Sequence, residues 1–259
     1  MARLGSENAP LFRFQSLRAG YAEKAILKGL DGEIAAGEAF AVLGPSGEGK
    51  TLLLKVLAGL VPYRGTLEFE GREVRTLNRP ERKVLRESLA MTFQKDGLFD
   101  SLTCGDNLRF PLNERLKLGR KEREKRVESA LEDVGLKGQS RLFVHEMSGG
   151  MQKRLGIARA LLFSPRVVLY DEPAAGLDPI TARSINDLIL SMRDKYAMTL
   201  VLVTSDLLQA RQLCTRMALL WKGAFEQVGS FTALKQSSNP AARQFFSAQA
   251  QGPLTEAGV

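Results

Sequence analysis

Gly44-Pro45-Ser46-Gly47-Glu48-Gly49-Lys50-Thr51 fits the pattern G-x-x-x-x-G-K-[ST] of phosphate-binding loops. Its glycines let the backbone curl so that successive N–H groups point inward at one anion. The helix expected to start at Lys50 adds partial positive charge at the same point. In such a loop the lysine reaches the β- and γ-phosphates of a nucleotide, and the Thr51 hydroxyl is offered to Mg2+. A second group lies far downstream, where the apolar run Val167-Val-Leu-Tyr-Asp-Glu-Pro173 ends in two adjacent carboxylates. Neighbouring side chains on a strand point to opposite faces. Asp171 can therefore face a metal while Glu172 faces a water, which it would polarise as a general base. An acidic pair at a strand end can also merely cap the next helix; the phosphate loop upstream favours the catalytic reading.

These groups need elements to hold them. A strand over residues 39–43 leads into the loop, and an apolar helix from Lys50 to about Leu60 leaves it. Residues 11–43 read as short strands and turns, and residues 64–76 as a hairpin punctuated by Gly65 and Gly71. From Asp96 to Ser164 the pattern is helical, with breaks expected at Pro111, Gly119 and Gly138. A strand returns at residues 167–171, then a helix over 181–195 and a strand over 198–204. Strands alternating with helices predict a mostly parallel sheet covered on both faces, with the helical stretch inserted into it. Beyond Leu234 the chain is polar and rich in small residues, and is expected to be partly extended.

Composition narrows the partners. The 259 residues are 44% hydrophobic and 25% charged, enough for one large domain or a core with one insertion. No apolar run approaches the roughly 20 residues that span a bilayer. The first residues lack the continuous apolar stretch of a secretory signal, so a cytoplasmic location is expected. Cys104 and Cys214 are too few for a disulfide framework and lack metal-ligand spacing, and are read as buried thiols. His145 is the sole histidine, which argues against a His/Cys metal site. The net charge of +8 calls for an anionic partner, whether nucleotide, nucleic acid or acidic membrane surface. The densest basic run, residues 120–126, is interleaved with glutamates and leads into Val127, Ala130, Leu131 and Val134 at helical spacing. That is a solvated helix with an apolar stripe, and without interleaved aromatics no nucleic-acid partner is expected.

Met147-Ser148-Gly149-Gly150-Met151-Gln152 resembles the LSGGQ signature of ABC ATPases, with Met147 replacing leucine and Met151 standing in the last position. The resemblance implies that Ser148, Gly149 and Gly150 start a helix and grip the γ-phosphate held by the opposite subunit of a head-to-tail homodimer. Gln94, in Met91-Thr-Phe-Gln94, matches the family's glutamine loop, which touches Mg2+ and the transport partner. Ala174-Ala-Gly-Leu-Asp178 matches the D-loop, with Asp178 contacting the other subunit. Tyr21 fits the aromatic that stacks on adenine, although a tyrosine there can equally be core. The implied fold class is α/β: a P-loop NTPase (RecA-like) core with a mainly parallel sheet, an antiparallel β subdomain and an inserted α-helical subdomain. Residues 1–95 and 164–235 would form the core, 96–163 the insertion, and 236–259 a C-terminal tail. ATP and Mg2+ are the implied ligands. One position departs from the pattern: the family's switch histidine would follow the strand in Val203-Thr204-Ser205-Asp206, where this chain has Ser205. Ser205 is either a natural variant or an engineered change, and it predicts intact binding with weak hydrolysis.

Further local features resemble the ATPases of Mce/Mla-type lipid transporters: Met151 after Ser-Gly-Gly, Gly176-Leu-Asp-Pro-Ile-Thr181, residues 97–103 followed by Asn107 and Phe110-Pro111, and residues 239–246. This resemblance implies phospholipid transport between envelope membranes. The chain would sit at the cytoplasmic face of the inner membrane with integral-membrane permease subunits and a lipid-binding Mce-type protein. Leu98, Phe99, Leu102 and Phe110, beside Gln94, would receive a short permease helix; any one of them can equally pack the insertion. The alternatives are a small-solute importer, in which Met151 is drift, and a non-transport ABC module such as a cell-division regulator.

Overall fold

The computed structural model describes residues 9–22, 24–93 and 97–256. β1 (Phe12–Tyr21) and β2 (Lys24–Ile34) are long strands rather than the short ones expected, paired antiparallel. β1 buries Phe12, Phe14, Leu17 and Ala19 on one face, the alternation of a half-covered strand. β3 (Ala39–Leu43) is apolar and buried at every position, and α1 (Lys50–Leu57) leaves the loop that follows it. α1 stops short of Leu60 because Gly59 takes a left-handed φ of 69° and the Leu60 N–H turns back to the Lys55 carbonyl at 2.8 Å.

β4 (Arg64–Phe69) and β5 (Arg72–Glu73) complete an antiparallel sheet of order β2-β1-β4-β5. Gly71 makes the turn between them, but Gly65 lies inside β4 instead. A side chain at Gly65 would put its Cβ 2.3 Å from the Ser16 carbonyl oxygen, where β1 bulges. α2 (Arg79–Ser88) is started by a capping box of Asn78 and Glu81, and β6 (Leu89–Thr92) follows it.

The inserted helices are α3 (Cys104–Arg115), α4 (Arg120–Asp133) and α5 (Gly149–Leu161). The break expected at Pro111 does not occur. Pro111 lies inside α3, where Leu108 and Leu112 are fully buried on either side of it. Their burial outweighs a local penalty of about 3 kcal/mol. Val127, Leu131 and Val134 are buried as the stripe predicts, and both cysteines are buried, with burial pushing the Cys104 thiol up to about 11.

β7 (Val167–Asp171), α6 (Pro179–Tyr196), β8 (Thr199–Val203), α7 (Leu207–Leu213), β9 (Arg216–Trp221) and β10 (Ala224–Gly229) complete the larger sheet. Its order, among the described residues, is β10-β9-β3-β8-β7-β6, parallel except for β10. β3 divides the interior: Ala41 and Leu43 face a core shared with the helices, while Phe40 and Val42 face α1 and the antiparallel sheet. Val42 lies opposite Val203, and Val203 opposite Asp171, so β3, β8 and β7 end side by side at one edge.

The C-terminal stretch is helical where a partly extended tail is expected. α8 (Phe231–Lys235) is followed by α9 (Pro240–Phe246) and α10 (Pro253–Glu256). Asn239 caps α9 by accepting from the Ala241 and Ala242 amides, and Ala241, Ala242 and Phe246 enter the main core. Small residues there allow close approach rather than extension. Asn-Pro before a phenylalanine pair was the available start signal.

Candidate functional site

The three parallel strands end where the open edge of such a sheet is built to take ligands, at their carboxyl ends. Gly44 leaves β3 buried, at φ 154°, and a Cβ there would stand 2.1 Å from the Leu220 carbonyl oxygen, so only glycine fits. Gly49 caps α1 at φ 98°, and a Cβ there would meet Ile26 at 2.7 Å. Between them Pro45, Ser46, Gly47 and Glu48 form the outward part of the loop, with Ser46 and Gly47 exposed.

Lys50 is buried, and its Nζ donates to the Gly44 carbonyl at 2.7 Å and the Pro45 carbonyl at 2.9 Å. The ammonium is thus drawn across the base of the loop. Burial lowers its pKa from the usual lysine value, opposed by the charges of Glu172, Asp171 and Glu48. Thr51 Oγ1 donates to Asp171 Oδ1 at 3.0 Å. Burial raises the Asp171 pKa, and the Thr51 hydrogen bond works against that rise. A cation placed beside these two oxygens would favour the carboxylate form.

Glu172 is held differently. It sits just past β7 at φ 47°, a left-handed conformation unusual for a side chain of this size. Its Oε2 accepts from Thr204 Oγ1 at 2.8 Å, and its Oε1 accepts from the Ser205 N–H at 2.8 Å and Ser205 Oγ at 3.0 Å. Ser205 therefore faces the acidic residue. Its backbone and hydroxyl are both committed to Glu172.

The remaining predicted residues fall into two places. Tyr21 closes β1 opposite Lys24 and is 51% exposed, which removes the core alternative. Ser148 caps α5, accepting from the Met151 amide at 3.3 Å, with Gly149 and Gly150 in the first turn. A Cβ on Gly149 would lie 3.4 Å from Leu177, and one on Gly150 would lie 2.7 Å from Thr181. The start of α5 therefore packs against the start of α6, where Asp178 caps the helix by accepting from the Ile180 and Thr181 amides. Gln94 lies outside the described residues.

Residues 27–175 match the family described as ABC transporter. The chain belongs to the ABC transporter family. Among curated relatives, it is 36% identical over 223 residues to the probable ribonucleotide transport ATP-binding protein mkl of Mycobacterium leprae, covering 86% of this chain and 64% of that one. It thus spans under two thirds of the mycobacterial relative's length. It is 33% identical over 219 residues to the intermembrane phospholipid transport system ATP-binding protein MlaF of Escherichia coli, covering 84% of this chain and 81% of that one. Among solved structures, cbiO1 from Clostridium perfringens, part of the ABC transporter complex cbiONQ, aligns with a TM-score of 0.77 at 26% identity, over 89% of this chain and 96% of that one.

ABC membership implies nucleotide binding. The structure also brings Thr204 to the acidic pair. Thr204 is fully buried, donates to Glu172, and accepts the Asp206 N–H at 3.1 Å. Two consecutive hydroxyl residues at the carboxyl end of a strand neighbouring the acidic pair were the available signal.

Proposed function

We propose that this chain is the ATP-hydrolysing subunit of a lipid transporter, acting as a head-to-tail homodimer under membrane-embedded permease subunits. The observation that carries the catalytic part is the joined edge of β3, β7 and β8. Lys50, Thr51, Asp171 and Glu172 converge there, with Thr51 bonded to Asp171. Loop amides and Lys50 bind and orient the triphosphate. Thr51 and Asp171 present two hard oxygens suited to Mg2+, which typically keeps water and phosphate ligands besides one or two protein groups. Gln94 would add a third protein contact. Mg2+ would supply charge neutralisation at the β- and γ-oxygens. Glu172 takes a proton from the attacking water. Tyr21, exposed at the end of β1, stacks on the base; Ser148, Gly149 and Gly150 complete the site of the opposite protomer, with Asp178 at the seam.

The cargo reading rests on similarity to the phospholipid ATPase MlaF and on the local features around Met151 and residues 97–111. The relative whose name specifies ribonucleotide transport supports a second reading, a nucleotide-class cargo. No helix among the described residues is long and apolar enough to cross a membrane, so permease subunits and a lipid-binding Mce-type protein would provide the path. The docking surface is an aromatic patch. Phe99 and Phe110 are 43% and 49% exposed and pack edge to face at 5.2 Å, with exposed Phe93 close in sequence. At the cytoplasmic face of an inner membrane, this patch would take a short permease helix.

Affinity purification from native membranes is expected to bring down an integral-membrane permease with bound phospholipid, and Phe99→Asp to abolish that capture while the subunit stays folded. A permease that carries no lipid but binds ribonucleotide in its membrane-embedded part, apart from the ATP on this subunit, would replace the cargo reading. Unchanged permease capture by a folded Phe99→Asp variant would refute the docking surface.

A further inference from the structure

Glu172 can act as a base only if its carboxylate is aimed at one place, and a glutamate side chain has three rotatable bonds with which to miss. Its backbone is anchored: the Glu172 N–H donates to the Val203 carbonyl at 2.9 Å, extending the β7–β8 ladder. Thr204 is anchored by the next ladder, its N–H donating to the Val42 carbonyl at 3.2 Å. The two residues thus stand at fixed positions on adjacent strands, and their side chains meet at 2.8 Å.

The direction of the Thr204 hydroxyl is also fixed. A threonine hydroxyl has one proton and two lone pairs. One lone pair receives the Asp206 N–H at 3.1 Å, and Asp206 is itself held as the cap of α7 by the Leu208 and Gln209 amides. The Asp206 N–H approaches the hydroxyl as a donor and the Glu172 carboxylate only accepts, so the hydroxyl turns its proton to Glu172 Oε2. The carboxylate has about four lone-pair sites. Ser205 fills both on Oε1 through its N–H and hydroxyl, and Thr204 fills one on Oε2. One site on Oε2 remains to take a proton from water.

We propose that Thr204 is a positioning residue for ATP hydrolysis: its hydroxyl, oriented by the Asp206 amide, aims Oε2 of Glu172 at the attacking water. This rests on Glu172 being the base. Thr204 is fully buried and its hydroxyl is spent on Glu172 and Asp206, so its removal changes the chemical step and spares binding. Misdirection of a reacting group by about 1 Å can cost up to roughly 10²-fold in rate.

The test is a double-mutant cycle on the assembled transporter, measuring steady-state ATPase kcat and KM, Mg-ATP binding by the isolated subunit, and thermal melting. Thr204→Val is expected to lower kcat by about 10- to 100-fold while KM and Mg-ATP affinity stay within about twofold. Thr204→Ser, which keeps the hydroxyl, should recover most of the turnover. In a Glu172→Gln background, Thr204→Val should change nothing further, because the group it positions is already disabled. If valine prevents folding, Thr204→Ala against Thr204→Ser makes the same comparison. An inactive Glu172→Gln protein alongside a fully active, folded Thr204→Val would overturn the positioning role alone. An additive loss in the double variant would overturn it as well, by showing that Thr204 acts elsewhere. Parent-level turnover in Glu172→Gln would overturn the base assignment and the positioning role together.

Discussion

The strand edge that carries Lys50, Asp171 and Glu172 and the helix start that carries Ser148 to Gly150 are built on opposite plans. At the strand edge each functional group has partners within the chain. Lys50 donates to two loop carbonyls, Thr51 to Asp171, and Glu172 accepts from Thr204 and Ser205. Asp171 ends a strand that is buried at every position, and Glu172, Thr204 and Ser205 follow directly on two such strands. Lys50 and Thr51 start the helix that leaves the loop after a third, so sheet register sets where these groups stand. At the start of α5, Ser148 is exposed and caps its own helix, and Gly149 and Gly150 follow in its first turn. Helix-start amides lack intrahelical acceptors and suit an anion. One region has its groups bonded in place within the chain; the other, on the function proposed above, is a surface that another protomer completes by supplying the phosphate.

The largest expected effect separates the two regions. Lys50→Ala removes the buried cation while leaving loop geometry to the glycines, and Mg-ATP affinity should fall by roughly 10²-fold or more, at about 1.4 kcal/mol per decade. Ser148→Ala should leave the affinity of the isolated subunit unchanged. It should abolish the dimer that ATP promotes in the parent, at a cost of about 1 kcal/mol to the helix cap. Calorimetric titration gives the first quantity and sedimentation with and without Mg-ATP the second. Equal nucleotide affinity in Lys50→Ala and parent would break the assignment of the strand edge; an ATP-driven dimer in Ser148→Ala would break that of the helix start.

The two regions also differed in how legible they were. The phosphate loop and acidic pair could be read because their chemistry is local: glycines at fixed spacing, an apolar run, then carboxylates. β3, β7 and β8 fall within a residue of the expected spans for the same reason. What could not be read depends on contacts between distant segments. Pro111 signals a break by itself, and only the burial of Leu108 and Leu112 against other helices keeps α3 continuous. The C-terminal stretch looks polar until Ala241, Ala242 and Phe246 are seen entering the main core. The hydroxyl pair Thr204-Ser205 marks a strand end, but the bond from Thr204 to Glu172 joins residues 32 positions apart in sequence and needs the strand order to be known. Ser205 was identified as a departure, but its orientation toward Glu172 came from the structure.

That orientation sharpens the next prediction. A switch histidine would extend past the carboxylate to the γ-phosphate, whereas Ser205 Oγ is spent on Glu172 Oε1 at 3.0 Å. The Ser205 N–H bond to the same oxygen is independent of the side chain and survives substitution. A missing preorganised donor to developing charge costs about 10²–10³ in turnover. Ser205→His is therefore expected to raise ATPase kcat of the assembled complex at least about tenfold, with Mg-ATP affinity little changed. Steady-state turnover of parent and variant decides it. A brisk parent rate unaffected by histidine would place the phosphate donor elsewhere.

The smallest effect concerns how the helical region is held together. Arg109 on α3 donates to Glu124 on α4 at 2.7 Å and 3.0 Å, and to Asp106 at 3.0 Å. The Arg109 hydrogen bond holds the Glu124 carboxyl below its usual pKa, and the Thr103 hydroxyl, then Arg109, does the same for Asp106. A carboxylate with a depressed folded-state pKa contributes stability that is present above its unfolded value and is lost as pH falls through the folded one. The side chains of Glu124 and Asp106 are 38% and 45% exposed, so solvent screening limits the whole cluster to about 1 kcal/mol. Arg109→Met should therefore lower the urea midpoint modestly near neutral pH, and the gap from the parent should close as pH drops below the ordinary carboxylate range of about 4. The catalytic edge, held by buried strands rather than exposed ion pairs, should lose no Mg-ATP affinity in this variant at neutral pH. A stability gap that persists unchanged in acid would show that Arg109 acts through packing of its aliphatic stem between α3 and α4, not through its charge.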